Sequence, residues 1–593
     1  MSTQTEVRAE LTGPGGPFEI VTATIDGVEM TVYKDRLPHL RAVADLASLR
    51  GDDQPFLVYG DQRIGFTEFF TRAGQISRQL AHGFGIAHGD RVAVLSANNP
   101  EWCETFWATV NLGAVLVGLN GWWKADEVIY GLQDSGSRLL VADRGRFERI
   151  AEHLDELPDL EAVFLVDADP EDFGGDPRLH RFDELRATNS AAEDAPVEIS
   201  EGDAAVIFYT SGTTGRPKGA ISTHRNMIAN LQNTIFNTVA SAMVAEAGAA
   251  SSAASASDPS DPSDPSEATD TSAPPPQTAA LLTSPLFHVS GCHSSLVVGT
   301  LGGLKLVIPQ GRFEPEKALR LIQDEGVTIW ATVPTMVWRV CEYPDRHQFD
   351  TSTVTSVAFG GSPSADELQR MVRETFPNVR STSNAYGLTE SSSVATVING
   401  QDSIDKPTSV GLAMPVVEIR IAAPDGSEVE PGGTGEVLLK GPIIMPGYWK
   451  KPEATAETVI DGWLHTGDIG RLDDEGYLYI TDRAKDMIIR GGENIYCVEI
   501  EQRLVEHPAI ADAAVFGVAH PELGEEVKAV IQRAPGTSIG EGEAKAWVAE
   551  TLANFKVPAY LEITDDKLPR NASGKLLKNV LRGEGVVSFA ETM

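Results

Sequence analysis

The chain has 593 residues, 42% of them hydrophobic, and a formal charge of −37. That length exceeds what one hydrophobic core organises, so more than one domain is expected, and the acidity argues against general binding to nucleic acid or to an anionic membrane, both of which require basic surface. No run is apolar for long enough to span a bilayer, and the opening stretch 1–16 is polar and glycine-rich without a basic start, so the expected location is the cytoplasm.

In chain order, Asp90 to Asn120 reads as strand, turn and helix, with Asn99-Pro100-Glu101 at the turn. The same alternation recurs at Leu139 to Asp143 followed by Phe147 to Leu154, and at Leu304 to Ile308 followed by Pro315 to Asp324. Strands alternating with helical patterns predict an α/β architecture with mainly parallel sheets. Cys103, Cys292, Cys341 and Cys497 are scattered without metal-ligand spacing and are read as reduced, mostly structural thiols.

After the apolar run Ala204 to Tyr209 comes the loop Thr210-Ser211-Gly212-Thr213-Thr214-Gly215-Arg216-Pro217-Lys218-Gly219. Its glycines let backbone amides approach a polyanion, and its hydroxyls and lysine add donors without a bulky wall. A short run of this composition also suits a surface turn, but the full length favours a phosphate cradle. It is not a Walker-type P-loop, because Lys218 is followed by Gly219 rather than Ser or Thr. From Ala240 to Ala280 the composition shifts to Ala, Ser, Pro and Asp, with few bulky apolar residues, which predicts a disordered insert over about 240–280.

Further along stand Phe287-His288-Val289-Ser290-Gly291, Gly361-Ser362-Pro363, Ala385-Tyr386-Gly387-Leu388-Thr389-Glu390 and Thr466-Gly467-Asp468. Beyond Asp482-Arg483-Ala484-Lys485-Asp486, the short strand patterns Met487 to Ile489, Ala513 to Phe516 and Val527 to Ile531 among helices predict a small separate α+β domain. The chain closes with Pro569-Arg570-Asn571-Ala572-Ser573-Gly574-Lys575.

From about Leu40 to Leu581 these motifs, in this order, resemble the adenylate-forming superfamily, which includes acyl-CoA synthetases and peptide-synthetase adenylation domains. The resemblance implies a large N-terminal AMP-binding and acyl-binding domain over 1–482, a hinge at 483–486 pivoting on Lys485, and a mobile C-terminal lid over 487–593. It assigns ATP or AMP contacts to Thr210, Ser211, Gly212, Thr213, Thr214, Gly215 and Lys218. It extends them to Gly361, Ser362 and Pro363 at the adenine edge, Tyr386 stacking on adenine, Gly387, and Thr389 at the phosphate. Asp468 and Arg483 are implied at the ribose, where Asp468 has the acceptor chemistry for two hydroxyls, although an Asp after Gly467 also suits a plain turn.

The implied catalytic residues are Lys575, His288, Thr210 and Glu390. Lys575 bridges carboxylate and phosphate as the transition-state cation, and His288 lines the acyl site. Glu390 is a hard oxygen ligand for Mg²⁺, and equally suits a helix start after a capping Thr389. Arg490, Gly491 and Gly492 are implied at a coenzyme A tunnel, where paired glycines allow a slender pantetheine arm to pass. Because ATP and coenzyme A are anions, these cations must act against the global charge, which screening limits to about 8 Å.

The implied activity is ATP-dependent ligation of a hydrophobic carboxylic acid, medium- or long-chain or related, to coenzyme A through an acyl-adenylate. The absence of aspartate beside Phe287-His288 favours an acid without an α-amino group. An acyl-AMP ligase loading a carrier protein, an aryl- or polycyclic-acid CoA ligase and a catalytically silent nucleotide-binding scaffold remain alternatives. The expected partners are small molecules, with a second copy of the chain as a candidate.

Overall fold

The computed structural model describes residues 3–187, 197–210, 216–256, 276–360, 366–379, 382–483, 486–490, 493–521, 523–570 and 576–583. Two large sheets form the body. The first has seven strands, ordered Lys218–Thr223, Ala204–Thr210, Val115–Gly118, Arg91–Leu95, Leu139–Asp143, Ala162–Val166, Leu179–Arg181. It is parallel except for the antiparallel hairpin at its edge. Strands such as Ala162–Val166 are buried along their whole length, as expected for a parallel sheet covered on both faces.

The second sheet has nine strands, with Thr382–Tyr386, Ser356–Gly360, Ile329–Thr332, Ala279–Leu281, Lys305–Ile308 and Pro55–Tyr59 parallel at its centre. One core spans the two sheets: Phe56, Phe66 and Leu306 share it with Val94, Phe164 and Phe208. The helix Pro100–Asn111 lies within that core and is buried nearly all round, with Trp102, Phe106 and Trp107 fully buried. Asn99 caps it by accepting from the Trp102 amide at 2.8 Å, and Pro100 occupies the first helical position, where its missing N–H is not needed.

A third, antiparallel sheet joins Glu418–Ala422, Gly435–Lys440, Trp463–Leu472 and Val459–Ile460, with Leu478–Arg483 paired to Trp463–Leu472. The C-terminal sheet contains Ile488–Arg490, Glu493–Ile495, Ile510–His520, Gly524–Arg533 and Tyr560–Thr564. With the helices Cys497–Val505 and Glu541–Ala549 it encloses its own core of Ile488, Ile500, Leu504, Val515, Ile531 and Val548. The fold is thus α/β with mainly parallel sheets in a large N-terminal body and a small α+β C-terminal unit.

Two sequence expectations need correction. The predicted disordered insert does not begin at Ala240, because one helix runs from His224 to Ala256, and at the other end Ala279–Leu281 is a strand of the second sheet. Alanine has the highest helix propensity, and Ala240, Val239, Met243 and Val244 bury an apolar face against Val7, Leu11 and Phe18 of the N-terminal segment. Only 257–275 of the insert lies outside the described residues. The helix expected over Phe147 to Leu154 is instead a short α-turn, Arg144–Phe147, followed by a 3₁₀ turn, Ala151–Glu156. Asp143 starts the first turn early by accepting from the Arg146 amide at 3.0 Å, and the break still lets Phe147, Ile150 and Leu154 reach the core.

Candidate active site

The phosphate-loop candidate is the connection of the edge hairpin. Thr210 and Lys218 are register partners at its mouth, with the Thr210 hydroxyl 3.4 Å from the Lys218 carbonyl. Both ends are moored to the helix Ala125–Ser135. The Tyr209 hydroxyl donates to Asp134 Oδ2 at 3.0 Å, and the Tyr130 hydroxyl donates to the Pro217 carbonyl at 3.1 Å. Ser211, Gly212, Thr213, Thr214 and Gly215 lie outside the described residues.

Lys218 points its ammonium at the ring of Tyr448, 5.0 Å from the centroid, and the Tyr448 hydroxyl donates to Glu390 Oε1 at 2.8 Å. Burial and the Glu390 carboxylate push the Tyr448 phenol up from its ordinary value. Tyr448 was not among the residues singled out from the sequence. Backbone pairing positions it: the Trp449 amide donates to the Gly219 carbonyl at 2.7 Å and the Ile221 amide to the Gly447 carbonyl at 3.2 Å, so 447–449 runs beside the hairpin. The visible signal was Pro446-Gly447-Tyr448-Trp449, in which Gly447 takes φ +154°, but nothing local ties that turn to a hairpin more than two hundred residues earlier.

Glu390 sits in the tight turn that follows the strand Thr382–Tyr386. Gly387 is required there, since a Cβ would collide with the Ser393 carbonyl oxygen. Ser392 and Ser393 adopt φ of +51° and +110°, uncommon for residues with side chains. The turn is held by the Leu388 amide on Ser391 Oγ at 2.9 Å and by the Met445 amide on the Glu390 carbonyl at 2.9 Å. Tyr386, Gly387, Thr389 and Glu390 are all half-buried and reachable.

At the start of that turn the Tyr386 hydroxyl donates to Asp468 Oδ2 at 2.7 Å. Asp468 is 3% exposed, and its amide donates to Thr466 Oγ1 at 3.0 Å, with Gly467 at φ +68° providing the bend. Arg483 is its register partner on the next strand. Residues 386–390 therefore join two polar clusters, Tyr386–Asp468 and Glu390–Tyr448–Lys218.

On the remaining side, the Phe287 ring meets Trp122 edge-on at 5.0 Å and the His288 ring at 4.7 Å. His288 is half-buried, and desolvation lowers its imidazole pKa, so it is neutral near pH 7. Gly291 is sterically required, because a Cβ would collide with the Pro285 carbonyl oxygen, and Cys292 behind it is fully buried. All four cysteines are free and buried.

In the C-terminal unit, Arg490 donates to Glu526 Oε1 at 2.6 Å, which raises its pKa. Arg570 pairs with Asp512 at 2.7 Å and bridges to Leu576, so the two ends of the 571–575 segment are held together. Lys575 itself, Gly361, Ser362, Pro363, Lys485, Gly491 and Gly492 lie outside the described residues. No group of His, Cys, Asp and Glu among the described residues is arranged to hold a metal by protein ligands alone. Glu390 still fits a magnesium that takes most of its oxygens from phosphate and water, since among the described residues only Oε1 of its carboxylate is engaged. No helix among the described residues is long and apolar enough to cross a membrane.

Residues 45–449 match the family described as AMP-binding enzyme, and residues 499–575 match the AMP-binding enzyme C-terminal domain. A feruloyl-CoA synthase from Amycolatopsis sp is 34% identical over 525 residues, covering 88% of this chain and 94% of that protein. A long-chain-fatty-acid–CoA ligase from Mycobacterium tuberculosis is 32% identical over 528 residues, covering 88% and 93% respectively. Among solved structures, the o-succinylbenzoate CoA synthetase of Bacillus subtilis in complex with its acyl-adenylate intermediate aligns with a TM-score of 0.72 at 30% identity, covering 92% of this chain and 98% of that one. The same enzyme has been solved with ATP and magnesium ion.

Proposed function

Because the chain belongs to the AMP-binding enzyme family, we propose that it is an AMP-forming acyl-CoA ligase acting on a hydrophobic carboxylic acid. The acid's carboxylate attacks the α-phosphorus of ATP, pyrophosphate leaves, and the coenzyme A thiol then takes the acyl group from the adenylate and releases AMP. The observation that carries this reading is the joining of Tyr386–Asp468 to Glu390–Tyr448–Lys218 through one short turn. That frame can hold the two ends of one nucleotide, ribose at Asp468 and phosphates beside Lys218 and Glu390.

In this reading Thr210, Lys218 and the loop 211–215 bind the phosphates, and Thr389 donates to the α-phosphate. Tyr386 stacks on adenine above Gly361-Ser362-Pro363, and Asp468 with Arg483 holds the ribose. Magnesium bound at Glu390 would neutralise phosphate charge, while Tyr448 keeps that carboxylate oriented. Proximity and charge stabilisation carry most of the adenylation barrier. Lys575 supplies the remaining cation at the reacting oxygens, from a segment whose ends the Arg570–Asp512 pair and the Leu576 bridge support. His288 positions the acyl carboxylate as a neutral ring. Rotation about Lys485 then brings Arg490, Gly491 and Gly492 to the adenylate for thiol entry.

Aryl acids are included in the proposed range because the feruloyl-CoA synthase relative matches over most of both chains. The test is acid-dependent ATP–pyrophosphate exchange across aliphatic, aromatic and polycyclic acids, followed by thioester formation with coenzyme A or a carrier protein. Exchange with thioester formation on coenzyme A supports the ligase. Exchange with transfer only to carrier protein replaces it by an acyl-AMP ligase, and no exchange over the panel refutes both.

A further inference from the structure

Behind the acyl side of the site lies an imidazole that the proposed mechanism does not use. His293 is 1% exposed, and its ring stacks on Phe208 with centroids 5.4 Å apart and planes at 25°. Phe208 belongs to the strand that ends at Thr210. Gly118 lets this arrangement close, since a Cβ there would collide with the Phe208 ring and lie 3.3 Å from Phe287 Cα. Phe208, on which His293 stacks, and Phe287 thus both crowd Gly118.

Its hydrogen-bonding state follows from its neighbours. Nδ1 lies 3.2 Å from the Ser392 carbonyl oxygen, which can only accept, so Nδ1 carries the proton. Burial lowers the pKa to about 4, so near neutrality Nε2 is a bare lone pair. Among the described residues that atom is buried and without a partner. A buried acceptor left unmet is costly, and such atoms in native structures usually have a water, an ion or a ligand to meet them. Two further observations mark the spot as specialised. His293 sits in a π-helical turn, Cys292–Val297, and the segment it grips contains Ser392 and Ser393, both at positive φ. Ser294 Oγ lies 2.6 Å from Ser393 Oγ, and Asn230 Oδ1 accepts from the Val394 amide at 3.1 Å, leaving Asn230 Nδ2 as a second buried polar atom without a partner among the described residues.

We propose that His293 is a specificity-determining residue whose Nε2 accepts a hydrogen bond from a hydroxyl on the body of the acid, so that the preferred substrates are hydroxylated carboxylic acids rather than plain hydrocarbon acids. This rests on the ligase reading above. A hydroxyl suits the site because it can donate to Nε2 while its own oxygen keeps its capacity to accept. A site built around a substrate hydroxyl discriminates against the analogue lacking it, since its own polar atom is then left unpaired.

The experiment measures kcat/KM in full-length enzyme for matched pairs: 4-hydroxycinnamate and cinnamate, 4-hydroxybenzoate and benzoate, 8-hydroxyoctanoate and octanoate. The expected result is a preference of about tenfold or more for the hydroxylated member of at least one pair, carried mainly in KM. His293→Phe, which keeps the ring stack on Phe208, should reduce that preference to within about threefold while sparing the plain acid, and His293→Gln, which restores an acceptor, should recover part of it. Turnover of plain acids with no hydroxyl preference in the unaltered enzyme overturns this inference alone, and means that a water meets Nε2. A preference that survives His293→Phe overturns it too. If His293→Phe does not fold, the wild-type ratios and His293→Gln decide. No turnover of any acid overturns the ligase reading and this inference with it.

Discussion

Tyr448 and Glu390 are joined by a 2.8 Å hydrogen bond across a gap of 58 residues, and the same phenol ring receives the Lys218 ammonium on its face. One side chain therefore sets the position of both a candidate metal ligand and a candidate phosphate cation. Removing only the hydroxyl separates the two effects. Tyr448→Phe keeps the ring for Lys218 but frees Glu390, and should lower kcat/KM for ATP about tenfold with a higher magnesium requirement, as expected for loss of one charge-assisted hydrogen bond. Tyr448→Ala should cost more, about a hundredfold. ATP–pyrophosphate exchange titrated with magnesium measures both, and an unchanged magnesium dependence in Tyr448→Phe would remove Glu390 from the metal role.

Lys575→Ala should separate the half reactions. Pyrophosphate release from acid and ATP should fall about 10²–10³-fold or more, as for loss of one preorganised charge donor, while thioester formation from supplied acyl-adenylate persists. Single-turnover assays of each step check this, and loss of the second step alone would refute the assignment.

Asp468 accepts from Tyr386 and lies nearly buried, so its acceptor capacity is already oriented. Asp468→Asn replaces an acceptor oxygen by a donor, and should weaken ATP binding about tenfold or more and flatten the preference for ATP over 2′-deoxy-ATP. Equal loss for both nucleotides in calorimetry would point to a structural role instead.

Glu104 supplies a pH dependence remote from the site. It is 0% exposed within the helix Pro100–Asn111, where desolvation outweighs Arg186 and Arg72 and raises its pKa from 4.5 to about 7. The native state therefore takes up a proton that the unfolded chain lacks between those values, so this contribution is full below about pH 4.5 and is lost as pH rises through about 7. The size is on the order of 1–3 kcal/mol. Thermal unfolding from pH 5 to 8 should show the loss, and Glu104→Gln should have a flatter profile; parallel profiles would refute the assignment.

Much of the candidate nucleotide frame was legible from residue order, because its parts are local. Thr210 and Lys218 end the two strands of one hairpin, Gly387 is demanded by its own turn, and Gly467 bends the chain just before Asp468. Strand and helix alternation around Asn99-Pro100 was equally readable, since a cap and a first-turn proline act within a few residues. The composition of 240–256 misled, because low bulk and many alanines suit either disorder or a helix. The choice depended on whether Val7, Leu11 and Phe18 lay across from Val239, Met243 and Val244.

By itself, then, the sequence determined the α/β class, the separate C-terminal unit and the chemical types gathered for a nucleotide and an acid, since each follows from periodicity, turn chemistry or a short motif. Only the tertiary structure decided that Tyr448 links Lys218 to Glu390, that Tyr386 holds Asp468, and that Ser392 fixes the tautomer of a buried His293. Those contacts join residues 58 to 230 positions apart, and hydrogen bonds act over about 3 Å, so no local pattern in the chain can encode which partner packing will bring within reach.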